Sequence, residues 1–143
     1  MKLLTLLTTL LFSLGAQAHS TDEVLNCSVT EPFINYTFNP AMKTLTMTSV
    51  EISPAVEVLS RNAEFKSLDP AKNGEMGSTY QVVDTVTGEV FMDLTLNNQG
   101  SDGMSDFMYP YDAKIGSWYG GCDSTSAPMS NVLNSVYNLL NQN

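Results

Sequence analysis

Two carboxylates four residues apart in a glycine-containing loop, Asp102-Gly103-Met104-Ser105-Asp106, form the most chemically suggestive spacing in this chain. With Asn97 and Asn98 upstream, the stretch offers oxygen ligands alone, the set a hard cation such as Ca²⁺ takes. It lacks the third acidic position and the closing Glu of an EF-hand loop. The same residues also make an Asx-rich turn whose Asp side chains cap the backbone, and the weakness of the metal motif favours that turn. Shortly after come Tyr109-Pro110-Tyr111, with Phe107, Met108, Trp118 and Tyr119 close in sequence. Crowded tyrosines suit a binding surface, because each gives a large contact area at modest entropic cost. On an alternating strand, however, half of such residues point inward. Trp118 is expected in the core, whereas Tyr109 and Tyr111 share one face that is either core or binding surface.

Other chemistry finds less support. His19 follows an expected cleavage site, and a free α-amine beside an imidazole chelates Cu(II), but the chain has no second His to complete the set. Met42, Met47, Met104 and Met108 suit Cu(I), yet the eight methionines read mainly as core filler. With no His inside the domain and both cysteines committed, a Ser or Cys nucleophile has no ordinary base. A paired-carboxylate hydrolase using Glu31 with Asp102 or Asp106 stays formally open, but no spacing favours it. The chain therefore reads as a non-enzyme, with Ca²⁺ the one cofactor in question.

The elements that must position these residues begin after an export signal. Lys2 precedes an apolar or small run from Leu3 to Gly15, and Ala16-Gln17-Ala18 supplies small residues for cleavage. The run is too short to span a bilayer, which takes roughly 20 apolar residues, and no comparable run follows. Residues 1–18 are thus expected to be a signal peptide and 19–143 a single small domain, periplasmic or secreted. Loss of Lys2 leaves five basic against 15 acidic residues, a formal charge of −10. Such a surface repels nucleic acid and anionic lipid and favours a basic partner or a cation. Cys27 and Cys122, the two cysteines of the chain, sit near opposite ends of that domain in an oxidising compartment and are expected to pair. Closing so long a loop stabilises by about 4 to 5 kcal/mol in the chain-entropy model.

Short period-two segments dominate the rest. They cover residues 34–38, 45–48, 50–52 and 56–58, then a hairpin of 79–84 and 89–96 about Thr85-Val86-Thr87-Gly88, then 109–115 and 118–119. Residues 61–78 read as a long loop and 97–103 as a shorter one. From Pro128, Val132, Leu133, Val136, Leu139 and Leu140 recur at helical spacing, predicting an amphipathic helix over 127–141. Many short strands in a small chain predict a mainly β fold, a small antiparallel barrel or closed sandwich with that C-terminal helix over an end or an edge.

Two segments resemble a known family. Asn26-Cys27-Ser28-Val29-Thr30-Glu31-Pro32-Phe33 is similar to the "GTEPFW" box of small bacterial secreted proteins and lipoproteins of the envelope. Ser101-Asp102-Gly103-Met104-Ser105-Asp106, with Tyr109-Pro110-Tyr111 and Gly121-Cys122, resembles their later "CSDGMSD…YP…GC" box. Here Ile34 replaces an aromatic, Gly100 the usual Cys and Phe107 a basic residue. The missing Cys removes the family's short-range bridge and leaves Cys122 to pair with Cys27. The resemblance implies an envelope β domain and brings no activity with it. In size, compartment and barrel-like pattern the chain is also similar to periplasmic inhibitors of C-type lysozyme, a likeness of fold class alone. The expectation is a non-enzymatic envelope binding module for a basic envelope or foreign protein. Its surface joins the Glu31-Pro32-Phe33 corner to the Asp102–Tyr111 stretch. A divalent-cation-binding protein and an inhibitor of a basic hydrolase such as lysozyme are the alternatives.

Overall fold

The fold is that of a computed structural model, which describes residues 22–49, 53–126 and 130–131. The expected signal peptide, His19, residues 50–52 and most of the expected C-terminal helix lie outside the described residues.

Alternation of apolar with Thr, Asn and Ser residues makes strands rather than helices throughout, because every second side chain can then be buried on one face. In chain order these are β1 (Leu25–Val29), β2 (Ile34–Asn39), β3 (Thr44–Ser49), β4 (Ser53–Ser60), β5 (Ala63–Ser67), β6 (Thr79–Asp84), β7 (Val90–Gly100), β8 (Phe107–Ile115), β9 (Trp118–Ser124) and β10 (Ser130–Asn131). The first nine form one antiparallel ladder in the order β4-β3-β2-β1-β9-β8-β7-β6-β5, and β10 pairs with β8 off that path. The sequence expectation of a mainly β antiparallel fold is met, but the expected closure is not. Strand pairing ends at β4 on one side and β5 on the other, so the sheet is open.

The sheet nevertheless rolls onto its own apolar face. Phe38 of β2 lies 6.4 Å from Phe65 of β5, ring centre to ring centre, although five strands separate them in the ladder. Ala63 of β5 donates its N–H to the Lys43 carbonyl in the β2–β3 turn at 2.7 Å. Phe65, Tyr80 and Tyr111 form the aromatic centre, with Phe65 stacked on Tyr80 at 4.8 Å and Tyr111 edge-on to Tyr80 at 5.9 Å. Leu25, Leu45, Val82, Met92 and Leu94 complete the interior, each no more than 1% exposed.

Cys27 and Cys122 are bonded and stand directly opposite each other across β1 and β9, as their isolation in the sequence led us to expect. The bridge ties the first strand to the ninth at the centre of the ladder. The expected hairpin is also present as β6 and β7.

Three expectations are corrected. Residues 61–78 are not all loop: Ala63, Phe65 and the residues between them alternate buried and exposed as β5, and the polar residues Glu64 and Lys66 are its outward face. β7 runs on to Gly100 through a register shift after Leu96, so part of the expected 97–103 loop is strand. Ser130 and Asn131, inside the expected helix, instead pair with Met108 and Phe107. β8 reaches past its rungs with β9 there, and its free backbone groups recruit the returning chain. Among the described residues no helix is long and apolar enough to cross a membrane.

Candidate functional site

The residues 101–106 fold around a single carboxylate. Asp102 Oδ1 accepts the backbone N–H groups of Met104 at 3.0 Å and Ser105 at 2.8 Å. Its Oδ2 accepts the Ser105 hydroxyl at 2.6 Å and the Tyr109 phenol at 3.2 Å. Gly103 supplies the positive φ of 93° that turns the backbone toward the carboxylate. Burial alone would raise the Asp102 pKa, but the Ser105 hydroxyl and the N–H groups of Ser105 and Met104 outweigh it and hold the carboxyl below its ordinary value. Both oxygens are therefore occupied, by the loop's own donors in the Asx-turn manner and by Tyr109 of β8. Among the described residues no group of three or more His, Cys, Asp or Glu side chains is placed to hold a metal ion. Of the two carboxylates expected as a cation pair, Asp102 organises its own loop and Asp106 is exposed beside it.

Tyr109 reaches Asp102 because β9 makes room for its ring. A Cβ on Gly121 would strike the Tyr109 side chain, and a Cβ on Gly120 would strike the Ser28 carbonyl. Gly100 is constrained the same way, since a Cβ there would meet the Tyr111 carbonyl. The cysteine of the resembling box cannot be placed on this backbone without shifting β8. Tyr109 is 6% exposed, and burial raises its pKa, with the neighbouring Asp102 charge adding to the rise. Tyr109 is a positioning residue, not a contact surface. Tyr111, 1% exposed and against Tyr80, is core, which corrects its place among the binding candidates. Its pKa too is raised, first by burial. Trp118 departs in the other direction: it is 44% exposed at the β8–β9 turn, not core. Period two showed that Tyr109 and Tyr111 share a face but could not say which face was inside.

The Asp102 loop and the β1–β2 turn enclose a two-lobed groove. The larger lobe, about 380 Å³, runs between Phe33 and Ile34 on one side and Asp102, Met104 and Ser105 on the other. The smaller, about 260 Å³, adds Glu31, Gly103 and Tyr119. Val29, Thr30, Asp102 and Met104 line both lobes, so the two adjoin and share these residues as a wall. Phe33, Met104 and Tyr119 stand exposed on its rim at 42%, 67% and 69%. The expected meeting of the Glu31-Pro32-Phe33 corner with the Asp102 loop is therefore present in the geometry. Glu31, joined to Pro32 by a cis peptide, and Phe33 face the same groove as Asp102 and Met104. Asp106, Tyr109, Pro32 and Tyr111 do not line either lobe. Sequence reading missed Thr30 and Tyr119 as groove residues and had Met104 only as part of the Asp102–Tyr111 stretch. β1 pairs with β9 as far as Ser28 opposite Gly121, and Val29, Thr30 and Tyr119 just beyond that rung line the smaller lobe together.

Neither a family model, nor a curated protein, nor a solved structure matches this chain.

Proposed function

We propose that this chain is a non-enzymatic binding module of the bacterial envelope, exported by residues 1–18 and working outside the cytoplasm. The groove between the β1–β2 turn and the Asp102 loop is its recognition surface. One observation carries the reading: two sequence segments about seventy positions apart, each singled out by its residues, line a single groove with three exposed apolar side chains on its rim. Exposed aromatic and methionine side chains around a concave site are the composition of a recognition surface. The rolled sheet, in this reading an incompletely closed barrel, is the rigid support. Asp102, whose oxygens accept four hydrogen bonds from its own surroundings, shapes the wall of the groove. The formal charge of −9 for the whole chain favours a basic partner, and a lysozyme-type hydrolase is the specific alternative within that class.

The test is retention by the oxidised, immobilised protein of components from an envelope extract and from a panel of lysozymes. A parallel column carries Phe33→Ala, Met104→Ala and Tyr119→Ala together. Retention by wild type alone supports the groove as the binding face. Equal retention by both columns moves the face elsewhere, and retention by neither ends the protein-recognition reading.

A further inference from the structure

We infer that the groove recognises a peptide segment in which an apolar side chain sits next to an arginine or lysine; the inference rests on the binding-module reading and names its ligand. The two lobes differ in chemistry. The larger is walled by Val29, Phe33, Ile34 and Met104 and takes an apolar side chain. The smaller holds Glu31, Asp102 and the Tyr119 ring, and no Lys or Arg lines it. An exposed ring beside two carboxylates is a seat for a guanidinium or ammonium group, combining attraction to the ring face with charge pairing. Asp102 contributes its charge although its oxygens are engaged, because its donors are neutral groups.

Thr30 lines both lobes, and its hydroxyl offers a donor and an acceptor to a backbone amide or carbonyl passing from lobe to lobe. One shared wall between the lobes means that neighbouring ligand side chains enter them. Lys114 is paired with Tyr119 across β8 and β9 but does not line the smaller lobe. The acidic surface as a whole draws a basic ligand in.

The probe is N-acetyl-leucyl-arginine amide, titrated into the isotope-labelled, oxidised, exported protein while backbone amide resonances are followed. Saturable shifts are expected at Val29, Thr30, Met104 and Tyr119, weakened by added salt. N-acetyl-leucyl-glutamate amide and N-acetyl-glycyl-arginine amide should each bind more weakly. Glu31→Gln and Tyr119→Leu alter exposed side chains and should each weaken the arginine ligand about two- to fivefold. Equal binding of the glutamate ligand, shifts confined to another face, or an unchanged affinity in both variants overturns the inference. A wild-type-only partner in the column experiment together with any of these results leaves the binding module standing and removes only its cationic ligand. Absence of binding in both experiments removes both.

Discussion

Asp84 and Asp102 do the same local chemistry at two places in the sheet with different consequences. Asp84 closes the β6–β7 hairpin, its Oδ1 accepting the N–H groups of Val86 at 2.8 Å and Thr87 at 2.9 Å. Its Oδ2 accepts the Ser60 hydroxyl from the end of β4 at 2.7 Å. That last bond spans the place where the open edges of the sheet approach each other, so Asp84 helps hold the roll shut. Asp102 makes the matching pair of backbone bonds, but its distant partner is Tyr109, and the loop it shapes forms the wall of a groove. Both carboxyls are held below the ordinary value, Asp84 chiefly by the Thr87 N–H and the Ser60 hydroxyl. The turn chemistry is common to both; what lies beyond the turn decides whether it stabilises or presents a surface.

The largest effect expected comes from the Cys27–Cys122 bridge at the centre of the ladder. Reducing it, or replacing Cys27 and Cys122 with Ala together, should cost about 4 to 5 kcal/mol of stability in the chain-entropy model, read by denaturant unfolding. Next, Gly121→Ala should cost about 1 to 3 kcal/mol by forcing the Tyr109 ring off β9, and should disturb the Asp102 loop while leaving the Asp84 hairpin intact in amide-exchange maps. Tyr109→Phe removes one hydrogen bond and keeps the packing, for about 0.5 to 1.5 kcal/mol.

Acid separates the two regions further. Each carboxyl has a folded pKa below its unfolded value near 3.8, so each stabilises the fold above about pH 4. That contribution is lost as pH falls from there through the folded value. Asp84→Asn and Asp102→Asn should each flatten the acid limb of a stability-against-pH curve, and Asp84→Asn should do so without altering groove binding. A loss of binding in Asp84→Asn at neutral pH, where its fold is intact, would mean that the groove depends on the seam. The smallest stability effect belongs to the groove rim. Phe33→Ala, Met104→Ala and Tyr119→Ala should each stay within about 0.5 kcal/mol of wild type while changing binding, because these side chains are already in water.

Alternation, turn residues and the isolated cysteine pair determined much by themselves. The segments at 34–38, 45–48 and 109–115 are strands, 79–96 is a hairpin, and Cys27 binds Cys122, because these depend on local pattern or on elimination. The strand β5 was legible in the Ala63–Phe65 alternation, but the polar and glycine-rich residues around it masked a pattern only five residues long. Tertiary structure alone decided which face of β8 is inside, since period two is symmetric until a core exists to break it. Tyr111 went into that core, Tyr109 was turned to serve Asp102, and Trp118 was left at the surface. The groove is likewise a product of register. Thr30, Met104 and Tyr119 come from three separate stretches, and they meet only because β1 pairs with β9 and β9 with β8, a relation no local pattern encodes.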